Sequence, residues 1–261
     1  QCYNIKRGPP AHESATCVVS FGEHYAVADH KRAHFSMLGS TAAKPVVTAV
    51  AIKFMKKSEQ FERELTVRNQ FKLKSEFVIQ PLKCNGNLLS HNSVEDAKFR
   101  EELTRFNFRK VLQLSSSQTF EYPYCIVFPQ AVMGLHELIT HGHVAGQAKR
   151  ISDVRAVMQQ VGEAAEHLHN RNVIHGDLKP LNIMKVTDVQ INSRGESGKV
   201  DRWKLIDLDA AAEIGASAGK KWSTGYAPPE LLVQDSNGDI QVRDALVESS
   251  ALVAHQSFDI W

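Results

Sequence analysis

Between His175 and Met184 the chain reads HGDLKPLNIM, and three side chains there have the types and spacing for one kind of chemistry. Asp177, Lys179 and Asn182 follow one another at intervals of two and three residues. Asp207 comes 25 residues after Asn182, at the end of the apolar run WKLIDL. A carboxylate, an ammonium, an amide and a second carboxylate are the groups that phosphoryl transfer needs. One Asp orients or deprotonates a hydroxyl, the Lys neutralises a migrating phosphoryl group, and Asn with the second Asp holds Mg2+ through oxygen.

Groups this far apart need elements to bring them together. VRAVMQQVGEAAEHLHNRNVIH has apolar residues at helical spacing, at Val157, Val161, Ala165 and Leu168, and delivers the chain to His175. IMKV, after Asn182, is strand-like, and the polar TDVQINSRGESGKVDR reads as an extended hairpin turn before WKLIDL. Upstream, YAVAD and HFSML alternate on either side of the polar tip DHKRAH. VVTAVAIKFM follows, a β-branched run expected as a buried strand. SEQFERELTVRNQF is expected as a helix with Phe61 and Leu65 one turn apart. FVIQPL and YCIVFP read as strands. Between them, residues 85–119 read as an insertion containing the charged helical piece VEDAKFREELTRF. Residues 1–20 show a GPP turn and no sustained period, which reads as a linker or leader.

A chain of 261 residues suits one large domain or two small lobes, and 43% hydrophobic residues supply a sizeable core. A net charge of +2 argues neither for nor against nucleic acid, and no nucleic-acid motif is visible. Cys2, Cys17, Cys84 and Cys125 are scattered without a CxxC pair. This argues against a disulfide framework or zinc site and for reduced thiols in a cytoplasmic protein. No apolar run approaches the roughly 20 residues of a membrane span, and no basic-then-apolar segment opens the chain. The sequence begins at Gln1 and stops at Trp261, which reads as a fragment.

Taken in order, VAIK, a Glu-bearing helix, HGDLKPLN, an apolar strand ending in Asp, PPE and DIW resemble the protein kinase family over about residues 25–261. WSTGYAPPE resembles that family's GTxxYxAPE, with Ser223 where Thr usually stands and Tyr226 and Glu230 matching. FDIW is similar to the Asp-x-Trp that opens its central helix. The resemblance implies an α+β, bilobal protein kinase-like fold, with a small antiparallel β lobe and a mainly helical large lobe, incomplete here. The lobes would be residues 21–130 and 131–261. It implies that Lys53 binds the α- and β-phosphates of ATP, with Ala51 of the same motif in the cofactor-binding set. A helix Glu should brace Lys53. Glu62 and Glu64 flank the Phe61/Leu65 face equally, so helical geometry does not choose, and the family pattern favours Glu64. Phe128 would be the gatekeeper beside adenine, with backbone groups near Gln130 and Ala131 facing it. Asp177 would be the catalytic base and Lys179 would steady the γ-phosphoryl group, with Asn182 and Asp207 as the metal ligands. His175 is expected to pack under the loop, and His167 and His169 to be helix surface or core rather than metal ligands.

Three departures stand beside the resemblance. No GxGxxG precedes Lys53: Gly39 stands alone, and the tip carries Lys31 and Arg32, read as surface charges. Gly176 replaces the Arg that usually precedes the catalytic Asp and binds a phosphorylated activation loop. The usual Asp-Phe-Gly reads Asp207-Leu208-Asp209.

The implied function is ATP- and Mg2+-dependent transfer to Ser/Thr hydroxyls of proteins, since Lys179 marks Ser/Thr rather than Tyr specificity in the family, and the group it resembles is that of the tyrosine-kinase-like Ser/Thr enzymes. One alternative is a pseudokinase, a nucleotide-binding or scaffolding module. Another is a small-molecule kinase resembling aminoglycoside phosphotransferases, against which PPE and Lys179 count. The expected partner is a protein substrate, without nucleic acid or a membrane segment. With the helix at Asp259 and Trp261 cut at its first turn, Leu178, Ile183 and Ile206 are expected to face water and the large lobe to be aggregation-prone.

Overall fold

The computed structural model describes residues 2–26, 46–84, 87–88, 90–92, 111–114, 122–144, 151–191, 195–218, 223–226, 229, 232–234, 236–242 and 252–260. The chain forms two compact units. One comprises Gln1–Phe61 and Gln80–Gln130, the other Glu62–Ile79 and Ala131–Trp261.

The first unit is built on a sheet of strands β1 (Cys2–Ile5), β2 (His12–Glu13), β3 (Cys17–Ala26), β4 (Val46–Met55), β7 (Ser90–Asn92) and β8 (Tyr124–Pro129). Its order is β1-β3-β4-β8-β7, with β2 also paired to β3, and every pairing is antiparallel. A short hairpin, β5 (Lys83–Cys84) with β6 (Asn87–Leu88), lies apart from this sheet. Strand β4 is the VVTAVAIKFM run, and its period-two alternation buries Val50, Ile52 and Phe54 on one face. These pack with Val18, Tyr122, Cys125 and Val127.

Residues 1–20, expected as a leader, instead supply two strands and the start of a third. Gly22 permits this, because a Cβ there would lie 2.8 Å from the Asn4 carbonyl oxygen of the paired strand. The strand that pairs with β4 on the side away from β8 is therefore Cys17–Ala26, most of it upstream of the expected hairpin. The tip DHKRAH, HFSML, Gly39 and the charged piece VEDAKFREELTRF lie outside the described residues.

The second unit holds most of helix α1 (Ser58–Gln70), with α2 (Leu135–Val144) and α3 (Ile151–His169). Its strands are β9 (Met133–Gly134), β10 (Val173–Ile174), β11 (Ile183–Ile191), β12 (Ser197–Leu205), β13 (Ala212–Glu213), β14 (Leu232–Gln234) and β15 (Ile240–Val242). FVIQPL, expected as a strand, contributes only a parallel bridge from Val78 to Leu205. Pro81 has no N–H to extend such a ladder. The polar stretch expected as a turn is mostly strand, since the β11–β12 ladder runs from Ile183↔Leu205 to Ile191↔Ser197. On α3, Ala164, His167 and Leu168 are buried, while Ala165 is only partly so. The core joins Ala164 and Leu168 to Val67, Val78, Ile183 and Leu205, and Leu178 packs against it. Ile183 is 5% exposed and Ile206 is half-buried, so the expected wetting of these side chains is not what the fold shows. No helix among the described residues is long and apolar enough to cross a membrane.

Candidate active site

Asp177, Lys179 and Asn182 meet because the backbone between them turns sharply. Lys179 is extended, at φ −157° and ψ 162°, and Pro180 then starts a single 3-10 turn over Pro180–Asn182. Proline suits that start because it has a fixed φ and needs no acceptor for an N–H. The turn leaves Leu181 exposed and folds Asn182 back into the interior. The Asn182 amide nitrogen donates to the Asp177 carbonyl at 2.8 Å and to Asp177 Oδ2 at 3.1 Å. Lys179 Nζ donates to the same Oδ2 at 2.7 Å and also bonds Ser223 Oγ.

The two oxygens of Asp177 are thus unequal. Oδ2 accepts from an ammonium and an amide, whereas buried Oδ1 accepts nothing among the described residues. A buried carboxylate oxygen without a donor is costly, of order 1–3 kcal/mol. Here the side chain is fixed through one oxygen while the other, equally buried, is left without a hydrogen-bond donor among the described residues.

Asp207 comes to this group through the β11–β12 ladder. Ile183 opposes Leu205, so the residues just beyond the ladder are adjacent, and the Ile206 N–H donates to the Asn182 carbonyl at 3.0 Å. Asp207 then takes a left-handed conformation, φ 61° and ψ 70°, and a 3-10 turn over Leu208–Ala210 follows. With its nitrogen engaged by Asp177, Asn182 offers an oxygen, and Asp207 offers a carboxylate. Two hard oxygen donors are what Mg2+ takes from a protein when phosphates and water supply the rest, so the residues present fit that ion. No group of three or more His, Cys, Asp or Glu that could hold a metal occurs among the described residues.

Beneath the loop, His175 is fully buried. Its Nδ1 accepts from the Asp177 N–H at 3.3 Å, which leaves Nε2 to donate to the Ile206 carbonyl at 2.9 Å. The histidine therefore ties both halves of the site together. Below it, Asp259 accepts from the His175 N–H at 2.7 Å, the Gly176 N–H at 2.9 Å and His169 Nε2 at 2.9 Å. Burial pushes the Asp259 carboxyl up. The hydrogen bonds from His169 and from the backbone N–H groups of His175 and Gly176 outweigh it and hold the carboxyl below its ordinary value. Sequence reasoning treated Asp259 only as a helix start and His169 as surface or core. The 90 and 84 residues that separate Asp259 from its partners hid the contact.

Gly176 has φ +76°, and a Cβ there would lie 2.5 Å from the Ala210 carbonyl oxygen. The missing Arg is therefore accompanied by close approach of the segment after Asp207. Arg63 of α1 donates to the neighbouring Asp209 carbonyl at 3.1 Å.

The other expected site residues lie in the first unit, apart from Glu64 and Ala131. In the sheet register Ala51 opposes Phe128 and Lys53 opposes Ile126, so Ala51, Lys53 and Phe128 share one face. Lys53 is 7% exposed. The Gln130 N–H donates to the Ala49 carbonyl at 3.2 Å. Glu64 is buried, and Glu62 is exposed, so burial separates the two candidates that helical spacing left equal. Glu230 and Trp261 lie outside the described residues.

A family model described as the protein kinase domain matches residues 40–243. The calcium/calmodulin-dependent protein kinase cmkA of Emericella nidulans is 33% identical over 86 residues, covering 33% of this chain and 20% of its own length. The serine/threonine-protein kinase prpf4B of Dictyostelium discoideum is 28% identical over 125 residues, covering 47% of this chain and 14% of its own length. The chain thus spans no more than a fifth of the length of these relatives. A crystal structure of a kinase domain aligns with a TM-score of 0.49 and 14% identity, over 87% of this chain and 57% of that one.

Proposed function

Because the chain belongs to the protein kinase domain family, we propose that it transfers the γ-phosphoryl group of Mg·ATP to Ser or Thr hydroxyls of a protein substrate. The observation that carries this reading is the asymmetry of Asp177: Oδ2 is fixed by Lys179 and Asn182, while buried Oδ1 has no donor among the described residues. That oxygen is suited to accept the proton of a substrate hydroxyl, or to orient it for attack. Lys179 stands beside the same carboxylate, where its ammonium offsets charge on the phosphoryl group in flight. When bound, Mg2+ would neutralise phosphate charge, and Asn182 and Asp207 are the residues that would hold it. Lys53 is assigned to the α- and β-phosphates with Glu64 as its brace, and the adenine contacts to Ala51, Phe128, Gln130 and Ala131, on the family resemblance. A cytoplasmic setting is part of the proposal, supported by Cys17 and Cys125 being buried thiols.

The test is a nucleotide-induced thermal shift with and without Mg2+, followed by phosphate transfer to a generic Ser/Thr protein and to an aminoglycoside. Mg2+-dependent binding with transfer to protein alone is expected. Binding without transfer would make the chain a nucleotide-responsive scaffold, and transfer to the aminoglycoside alone would make it a small-molecule kinase.

A further inference from the structure

Asp207 stands on left-handed backbone, at φ 61° and ψ 70°, which L-residues seldom adopt and which persists only where the surroundings impose it. Upstream, the imposition is plain. The Ile206 N–H donates to the Asn182 carbonyl at 3.0 Å, and His175 Nε2 donates to the Ile206 carbonyl at 2.9 Å. Downstream, the chain enters the 3-10 turn Leu208–Ala210, which the Ala211 N–H closes on the Leu208 carbonyl at 3.2 Å. That bond sets the shape of the turn and not its place.

Its place is set from outside. Leu208 is fully buried in the core, but apolar burial holds without direction. The Ala210 carbonyl rests where a Cβ on Gly176 would be 2.5 Å away, which blocks movement toward the loop and not away from it. A directional tie comes from Arg63 of α1, whose Nη1 donates to the Asp209 carbonyl at 3.1 Å. Arg63 is exposed, and it belongs to the same compact unit as the turn. A charged donor makes a stronger bond to a carbonyl than a neutral one does.

We infer that Arg63 is a positioning residue for the metal-binding carboxylate, fixing through the Asp209 carbonyl the turn on which Asp207 stands. This rests on the proposed reaction, in which Asn182 and Asp207 hold Mg2+. Asn182 has its own anchorage, through its two bonds to Asp177. Without Arg63, one oxygen donor would stay in place while the other lost its register, and Mg2+ demands near-ideal geometry of its ligands. The sign of the effect separates this role from simple electrostatics. Arg63 is a cation beside a segment with two carboxylates, Asp207 and Asp209, so loss of its charge alone would strengthen the attraction for Mg2+. Loss of the tie weakens it.

The experiment compares Arg63→Met, which keeps much of the side chain's length without a donor, with Arg63→Lys, which keeps charge and donor. Arg63 is exposed, so neither change opens a cavity in the core. Mg2+ is titrated at fixed ADP and read by thermal shift, and hydrogen exchange over residues 206–211 is followed in EDTA. Arg63→Met should raise the half-maximal Mg2+ concentration about 3- to 10-fold, the range of one hydrogen bond. It should speed exchange at Ala211 at least ~2-fold while the amides of β11 keep their protection. Arg63→Lys should recover part of both. Unchanged or tighter Mg2+ binding in Arg63→Met overturns the inference. So does a loss of protection spread through β11 and β12, which would make the role one of stability alone. A parent protein that binds Mg·ADP but transfers no phosphate from ATP defeats the proposed reaction and leaves the titration valid. A parent whose nucleotide binding ignores Mg2+ overturns both.

Discussion

Gly176→Ala adds one carbon at the point where two segments of the site touch. At φ +76° an L-residue costs about 1–2 kcal/mol more than glycine. The new Cβ would also sit 2.5 Å from the Ala210 carbonyl oxygen, a separation real Cβ atoms essentially never show, so backbone has to move. Overpacking of that kind costs about 1–3 kcal/mol. The sum is about 2–5 kcal/mol. For a unit of this size each kcal/mol lowers Tm by about 2–4 °C, so a fall of at least ~4 °C is expected. The direction of movement matters as much. Gly176 N–H is held by buried Asp259, so the yielding side is the Leu208–Ala210 turn, which carries Asp207 at its N-terminal end. Metal-dependent nucleotide binding should therefore weaken more than metal-independent binding. Differential scanning fluorimetry, with nucleotide titrations in Mg2+ and in EDTA, reads both effects. A Gly176→Ala protein that melts within 2 °C of its parent and keeps its Mg2+-dependent affinity would refute the close-approach argument. Gly176→Arg carries the same Cβ, so it should destabilise as well rather than install control by activation-loop phosphate.

Asp177→Asn should leave nucleotide binding nearly intact and cut transfer about 10²–10⁴-fold, checked by thermal shift beside a transfer assay. With glycine at position 176, a phosphate on Thr224 lacks the usual arginine partner. Phosphatase treatment of the active protein should therefore change its rate less than about twofold. Asp259 has a folded-state value below its ordinary one. Its contribution is complete above about pH 4 and is lost as pH falls through the lower folded value, so Asp259→Asn should flatten the acid limb of Tm against pH. For His167, burial, then the charges of Arg171 and Lys74, lower the imidazole, which accepts the Lys74 N–H at 3.0 Å and stacks on Phe77. The unfolded chain gains its proton first, so stability should decline as pH drops below about 6.5. His167→Gln, which keeps an acceptor, should reduce that slope.

The local arrangement of the site was legible in the sequence because its parts are close in the chain. Asp177, Lys179 and Asn182 lie within six residues, Pro180 fixes the turn between them, and an apolar run ending in Asp207 announces the strand that brings the second carboxylate. The same holds for β4, β8, α1 and α3, whose periods of two and 3.6 residues are written in the order of apolar side chains. Pairing was not legible. Cys17–Ala26 forms a strand because β4 offers it a neighbour, β1 and β2 pair in turn with that strand, and the β11–β12 ladder extends through polar residues because each strand satisfies the other's backbone. Identical helical spacing left Glu62 and Glu64 equal, and only the packing around α1 buried one and exposed the other. Gly176 read as the loss of an arginine, while the fold makes it the place where the Ala210 carbonyl comes to rest. Short-range geometry is fixed by covalent structure and side-chain type. Which distant backbone fills a gap, and which distant cation meets a buried carboxylate, is decided only when the chain closes on itself.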